Sequence, residues 1–210
     1  MPDTAPVLDT RPRTVRARHA ASLLVLRRRA SGEPELLMGM RGARHRFMPN
    51  RLVFPGGAVD AADLKAPAAA PLAPHTRALL EKKANPRLAH GLGIAAAREL
   101  AEETGLSLGD PPALDGLEYI CRAVTPPPGP VRFNARFLVV DAARVCGTLG
   151  GSGELEDLRF VDIEVALALN LAMPTRFVIE RLLAWMALSE AERQASRRTA
   201  ILTRRDWRLE

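Results

Sequence analysis

Three glutamates and an arginine crowd one short segment of the sequence, LGIAAARELAEETGL at residues 92–106. On a helix, Glu99, Glu102 and Glu103 would lie within about 100° of one another on one face, with Arg98 beside them. Like charges three and four residues apart repel, and each pair costs a helix a few tenths of a kcal/mol. Two interpretations are open: a solvated acidic face partly neutralised by Arg98, or carboxylate ligands for Mg²⁺ or Mn²⁺.

Apolar residues of the same segment predict a second face that packs against the core. This face consists of Ile94, Ala97, Leu100, Ala101 and Thr104. Gly105 is well placed to end the helix in a left-handed conformation. The pattern predicts that the three carboxylates point away from the packed face and converge on one spot. The helix alone does not decide between surface and ligands.

Strand and helix patterns alternate around this segment. A helical pattern covers residues 175–186, and the capping box Ser189-x-x-Glu192 begins a further short helix. The alternation predicts an α/β protein with a mixed sheet. Strand patterns occur at residues 19–26, 36–40, 51–57, 117–124, 132–140 and 158–162. In the third of these, Pro55, Gly56 and Gly57 are expected to end the strand in a turn.

The domain organisation is predicted to be simple. Residues 1–17 are rich in Pro, Thr and Arg and are interpreted as an N-terminal tail, and residues 18–210 as a single domain. Within the domain, the Pro/Ala-rich residues 64–92 are expected to form an insertion loop with one or two helical turns around 76–83. Residues 189–210 are expected to form a helical C-terminal extension.

Net charge, cysteine spacing and the length of the apolar runs indicate which binding partners and which cellular compartment to expect. The net charge of +6, concentrated in the N-terminal third, favours anionic partners, and both a phosphate-bearing small molecule and a nucleic acid fit it. Cys121 and Cys146 have no metal-site spacing and suggest no disulfide framework. No apolar run approaches the roughly 18 residues that span a membrane. We therefore expect a soluble cytoplasmic protein without a membrane partner.

The segment RELAEETGL, with FPGG upstream, resembles the Nudix box, G-x5-E-x7-R-E-U-x-E-E-x-G-U with U aliphatic. Arg98 to Leu106 fill the second half of the pattern without a departure, and Gly57 fits its opening glycine. Asp63 stands where the family has Glu, and 34 residues separate it from Arg98 where the pattern has seven. The resemblance implies a Nudix α/β/α sandwich with a mixed β-sheet, a long insertion between FPGG and the box helix, and a helical C-terminus.

The resemblance also implies an activity and its residues. Nudix enzymes hydrolyse a diphosphate in a nucleoside diphosphate-X compound with Mg²⁺ or Mn²⁺. Carried over to this sequence, Glu102 and Glu103 become metal ligands, Glu99 a ligand or the catalytic base, and Arg98 the residue that orients Glu99. The Gly57 carbonyl adds a metal ligand. Glu154 is the candidate for a further carboxylate from a loop, equally interpretable as an ordinary loop acid, with Glu156 as the next choice.

For the substrate, RGARHRFMPNRLVFPGG is similar to a motif of Nudix coenzyme A diphosphatases, R-[SA]-x3-R-x3-G-x3-F-P-G-G. Gly42 replaces Ser or Ala, Asn50 replaces Gly, and the preceding Thr is missing. Arg41, Arg46 and Phe54 would then bind substrate, with the arginines contacting the extra phosphate of coenzyme A. The other interpretation of these arginines is solvated hairpin charge.

Three alternatives stay open. The chain could act on another nucleotide, such as ADP-ribose, NADH or a dinucleoside polyphosphate. It could be a non-catalytic Nudix-fold regulator, although such proteins usually lose box glutamates. An RNA-binding role fits the basic N-terminus, but the sequence lacks an aromatic-rich stacking surface, which disfavours nucleic acid as a partner. A homodimer is compatible with the sequence.

Overall fold

The computed structural model describes residues 15–42, 50–151, 153–203 and 206–210. The strands in chain order are β1 Arg18–Arg28, β2 Pro34–Arg41, β3 Leu52–Val53, β4 Gly56–Ala58, β5 Leu106–Ser107, β6 Glu118–Val124, β7 Phe133–Asp141, β8 Cys146–Gly147, β9 Leu155–Asp162, β10 Ala200–Thr203 and β11 Asp206–Leu209. The helices are α1 Pro74–Glu81, α2 Pro86–Thr104, α3 Ile163–Ala168, α4 Met173–Met186 and α5 Glu190–Ala195. A short 3-10 turn, Ala142–Arg144, follows β7.

One large mixed sheet organises the fold. Its strands lie in the order β11-β10-β6-β7-β1-β2-β3, with β4 paired to β1 and β9 paired to β2. The pairs β1–β7 and β6–β10 are parallel, and the other pairs in this sheet are antiparallel. This arrangement confirms the α/β class with a mixed sheet.

Helices cover both faces of the sheet, because successive side chains of each central strand point to opposite faces. On one face, Leu23 and Leu138 pack in a buried cluster with residues of α1 and α2. On the other, Leu24 and Val139 pack in a second cluster with residues of α3 and α4. The result is the three-layer α/β/α sandwich.

The structure corrects the expectation that residues 64–92 form a loop. Helix α1 confirms the helical turns expected around residues 76–83. However, α2 begins at Pro86, so the last part of the insertion is already box helix. Asn85 caps the N-terminus of α2, since the Asn85 side chain accepts a hydrogen bond from the Leu88 N–H at 2.8 Å. Pro86 occupies the first turn of the helix. An Asn-Pro pair is a recognised start signal, so the sequence carried the information.

The expectation of a helical extension at residues 189–210 is only partly right. Helix α5 begins at Ser189 with both hydrogen bonds of the capping box, as predicted. The chain then forms β10 and β11 instead of a helix. Ala200, Ile201 and Leu202 are buried because β10 pairs in parallel with β6, a contact about 80 residues away in sequence that no local pattern shows.

None of the helices in the described ranges is long and apolar enough to cross a membrane.

Candidate active site

Gly56 and Gly57 belong to a strand rather than to the turn expected there. Strand β4 pairs antiparallel with the first half of β1, and the Leu23 N–H donates to the Pro55 carbonyl at 2.9 Å. Gly56 has a φ of 155°, and a Cβ on it would lie 2.5 Å from the Ala21 carbonyl oxygen. Only glycine fits this approach of two backbones. The sheet therefore holds the FPGG backbone firmly against α2.

Glu103 lies beneath this backbone and is 1% exposed. Its Oε2 accepts the Gly56 N–H at 2.7 Å. The prediction that all three carboxylates point outward is therefore wrong for Glu103, because β4 covers that part of the helix. Conversely, Ala101, expected in the core, is exposed. Gly105 ends α2 with a φ of 72°, as predicted.

The electrostatics of Glu103 are those of a buried acid in a cluster of acids. Burial raises its pKa to about 8, opposed by the Gly56 N–H, and the neighbouring Glu99 and Glu154 raise it further. The pKa of Glu99 is also raised, mainly by burial, and the charge of Glu154 adds to this effect. Glu154 thus lies close enough to act on both box glutamates. The alternative candidate, Glu156, is on β9 opposite Met40, and both Glu154 and Glu156 are exposed.

Arg98 joins the acids of the site into one network. Its Nη1 donates to Glu99 Oε1 and to Glu102 Oε2, each at 2.9 Å. Its Nε and Nη2 donate to the two carboxylate oxygens of Asp63 at 3.0 and 3.1 Å. These bonds, above all the one with Asp63, raise the pKa of the guanidinium, so Arg98 stays charged. The expected contact between Arg98 and Glu99 is present.

Asp63 is the site residue that the sequence left in doubt. It is 2% exposed, forms a bidentate pair with Arg98 and also accepts the Asp60 N–H at 2.8 Å. The insertion begins directly after Asp63, so it lengthens the chain between the two partners without separating them in space. In the sequence, Asp63 stands six residues after Gly57, where the Nudix box has Glu. The 34 residues between Asp63 and Arg98 made this match uncertain.

A cavity of about 370 Å³ opens beside the FPGG backbone. Gly56, Gly57, Phe54 and Arg41 line it, which brings two of the predicted substrate-binding residues together. The charge of Arg41 lowers the pKa of Glu103, and its Nε is buried without a hydrogen-bond partner among the described residues. The third predicted substrate-binding residue, Arg46, lies outside the described residues.

The donor set of the site suits a hard cation. Among the residues that the structure describes, no group of three or more His, Cys, Asp or Glu already surrounds a point that could hold a metal ion. Glu99 and Glu102 contact Arg98 instead, and Glu103 contacts Gly56. Carboxylate oxygens are nevertheless the ligands that Mg²⁺ and Mn²⁺ prefer, and mutual repulsion of the acids is what a cation would relieve.

Replacing Gly57 by alanine should inactivate the protein without unfolding it. A Cβ at this position would overlap the Glu99 carboxylate, the flexible end of a side chain that can move aside. We expect a stability change within about 1 kcal/mol and a loss of about a hundredfold in kcat/KM, since Glu99 would be displaced by about an ångström. Urea unfolding and steady-state hydrolysis of a diphosphate substrate measure the two effects.

Gly56→Ala is the matched comparison. There the added Cβ meets the Ala21 carbonyl and the Ser22 Cα, which are backbone atoms that cannot move aside. This variant should therefore lose more than about 2 kcal/mol of stability. Full activity of Gly57→Ala, or equal destabilisation of both variants, would contradict the contact proposed for Glu99.

Comparison with known proteins supports the fold directly. No family model matches the sequence, and no curated protein matches it. Among solved structures, a NUDIX hydrolase from Alicyclobacillus acidocaldarius has 25% identity and a TM-score of 0.65, covering 88% of this chain and 98% of its own. The NUDIX domain of Shewanella oneidensis NrtR, complexed with ADP ribose, has 14% identity and a TM-score of 0.55, with 85% and 95% covered.

A MutT NUDIX hydrolase from Burkholderia pseudomallei has 18% identity and a TM-score of 0.52, and the match covers 80% of this chain and 99% of that one. The similarity to the S. oneidensis and B. pseudomallei structures is one of fold. In the A. acidocaldarius structure, 25% of the aligned residues are also identical to those of this chain. The chain therefore has the fold of these Nudix hydrolase structures, and its segment Arg98 to Leu106 resembles the Nudix box.

Proposed function

We propose that the protein hydrolyses a diphosphate linkage in a nucleoside diphosphate-X compound with Mg²⁺ or Mn²⁺, and that coenzyme A or acyl-CoA is its substrate. Hydrolysis of coenzyme A would yield 3′,5′-ADP and phosphopantetheine. The observation that carries the proposal is the position of Glu99 and Glu103 against the FPGG backbone, which also lines a cavity. The charge of Glu154 acts on both of these glutamates. The cavity provides a place for the organic part of a substrate, and the acids provide a place for cations beside its phosphates.

Five groups would hold the cation: the carboxylates of Glu99, Glu102, Glu103 and Glu154, and the Gly57 carbonyl. The bound cation would neutralise phosphate oxygens and lower the pKa of the attacking water. To bind the cation, Glu99 and Glu102 would exchange their hydrogen bonds to Arg98 Nη1 for the cation. Asp63 keeps the other edge of the guanidinium in place meanwhile.

The chain's own residues would orient and neutralise the reactants. Arg98 positions Glu99, which acts as a ligand or as the base that removes a proton from water. Arg41 provides positive charge for a phosphate at the boundary between the cavity and Glu103. Once cations offset the charge of the acids, Arg41 adds positive charge for an anionic group at that boundary.

The proposal of coenzyme A depends on the arginines of the hairpin. If Arg41 or Arg46 contacts the extra 3′-phosphate, its replacement by alanine should lower kcat/KM for coenzyme A more than for 3′-dephospho-coenzyme A. Equal losses for the two substrates would show that the arginine contacts another part of the molecule.

A substrate screen with Mg²⁺ or Mn²⁺ tests the proposed function. The panel comprises coenzyme A, acyl-CoA, NADH, ADP-ribose, dinucleoside polyphosphates and oxidised nucleotides, with products separated by chromatography. We expect hydrolysis that stops when EDTA removes the cation. Absence of hydrolysis across the panel, with ligand binding retained, would favour the non-catalytic regulator. Hydrolysis confined to ADP-ribose or NADH would exclude coenzyme A.

The cytoplasmic location, the homodimer and the lack of a nucleic-acid partner remain predictions from the sequence. Size-exclusion chromatography with light scattering tests the second of these, and the salt dependence of RNA affinity tests the third.

A further inference from the structure

The cavity beside the FPGG backbone has an almost entirely apolar lining. Its polar side chains among the described residues are Ser22, Thr125, Thr175 and Arg41, and Arg41 is the charged one. None of the described lining residues is an Asp, Glu, Asn or Gln. Side chains of these four types accept hydrogen bonds from sugar hydroxyls and form hydrogen bonds with the edge of a nucleotide base. The lining suits a hydrocarbon group better than a second sugar.

Strand register explains why there is space in this part of the sheet. Ala20 of β1 lies opposite Ala135 of β7, and Ala135 lies opposite Ala123 of β6. Three neighbouring strands thus contribute alanine at the same level, and all three alanines line the cavity. On β7, Phe133 and Phe137 stand two residues to either side of Ala135 and form walls of the cavity.

The cavity and the proposed reaction centre adjoin at the backbone of Gly56 and Gly57. Gly56 and Gly57 line the cavity, while the Gly56 N–H contacts Glu103 and the Gly57 α-carbon lies against the Glu99 carboxylate. Arg41 lines the cavity and also acts on Glu103. A diphosphate beside Arg41 and the acids would therefore have one of its two organic arms in the cavity.

We infer that the cavity binds a hydrocarbon group on the X side of the diphosphate, and that Ala20, Ala123 and Ala135 set the size of the group accepted. This inference rests on the proposed hydrolysis and names the chemical class of the part of X next to the diphosphate, which in coenzyme A is the dimethyl-substituted carbon segment of the pantetheine arm. Water adds to one phosphorus, the bridging oxygen leaves with the other phosphate, and a proton from the water is released. The products are two phosphate monoesters, and no oxidant or reductant is needed.

Alkyl esters of ADP provide the test, since they share one adenosine half and differ only in the alkyl group on the terminal phosphate. For the wild-type protein, we expect kcat/KM for the butyl and octyl esters to exceed the values for the methyl ester and ADP-ribose at least tenfold. Each methylene moved from water into the cavity can contribute about three- to fourfold. No preference for the longer esters over the methyl ester would overturn the inference.

Ala135→Leu fills the middle of the alanine row and should remove the preference. We expect kcat/KM to fall at least tenfold for the octyl ester and to stay within about twofold for the methyl ester. Ala78→Leu, an exposed position on α1, is the matched control and should leave both values unchanged. Equal losses for both esters in Ala135→Leu would mean that the shared adenosine occupies the cavity, which would overturn the inference. If Ala135→Leu does not fold, Ala123→Val makes the same comparison.

Binding separates this inference from the proposed function. The proposed function fails if no compound of the substrate panel is hydrolysed, but the esters can still be compared through the shift in Tm that each causes. A larger shift from the octyl than from the methyl ester, lost in Ala135→Leu, would support the hydrocarbon site. Equal shifts from the two esters would overturn it.

Discussion

Glu103→Gln should lower kcat/KM by about a thousandfold or more, corresponding to about 4 kcal/mol of transition-state stabilisation. Glutamine has nearly the same volume and keeps an oxygen that can accept the Gly56 N–H, which Glu103 accepts at 2.7 Å. The substitution therefore removes the negative charge while leaving the packing under β4 intact. Since the proposed role of Glu103 is to neutralise and hold a cation, the loss of charge should appear in both activity and metal affinity.

The measurements are hydrolysis rates across Mg²⁺ and Mn²⁺ concentrations, and metal binding by calorimetry. Glu81→Gln, on helix α1, controls for a generic effect of removing one negative charge, because Glu81 lies outside the site and forms a long pair with the exposed Arg77 at 3.8 Å. Activity of Glu103→Gln within threefold of the wild type would rule out Glu103 as a ligand. Comparing Glu154→Gln with Glu156→Gln tests the late carboxylate, and we expect the first to cause the larger loss.

Without metal, the protein should lose stability as the pH rises from 5 to 9. The pKa of Glu103 is about 8 in the folded protein, against an ordinary value of 4.5, because the buried carboxyl group favours its neutral form. An acid with a raised folded-state pKa contributes stability that is complete below the unfolded-state pKa and is lost as the pH rises through the folded-state value. The contribution of Glu103 is therefore full below about pH 4.5 and gone above about pH 8.

The size of this effect follows from 1.36 kcal/mol per pKa unit, which sets an upper limit of about 5 kcal/mol. We expect at least about 2 kcal/mol after the backbone of β4 around Gly56 relaxes. Urea unfolding of the EDTA-treated protein at pH 5, 7 and 9 measures it, with Glu103→Gln as the reference because glutamine does not titrate. The pKa of Glu99 is raised too, so the difference between wild type and variant isolates Glu103.

Added Mg²⁺ should reverse the loss at pH 9, because a cation binds the ionised carboxylate and so stabilises the folded state. Parallel pH profiles for the wild type and Glu103→Gln would contradict the buried position of Glu103. A wild-type profile that falls with pH but does not respond to Mg²⁺ or Mn²⁺ would leave the burial correct and exclude the metal site.

Local patterns were sufficient for most of the fold. The apolar runs of β1, β6 and β7 predicted these strands to within two residues, because their side chains pack against the core on both faces of the sheet. The helical spacing of α4 and the capping box at Ser189 were likewise read correctly. The strands β10 and β11 were missed, because their stability comes from pairing with a distant strand rather than from local preference.

The sequence by itself determined the segment of the box helix and the pairing of Arg98 with Glu102, because residues four apart on a helix are neighbours. The contact of Arg98 with Glu99 was implied by the family resemblance. Only the tertiary structure decided that Glu103 is buried, because strand β4 covers it, and that Asp63 reaches Arg98 across a long insertion. It also decided the alanine-lined cavity, because the side chains of Ala20, Ala135 and Ala123 meet only through strand register. Spacing along a chain specifies neighbours within an element, whereas burial and cavities arise from surfaces that distant elements bring together.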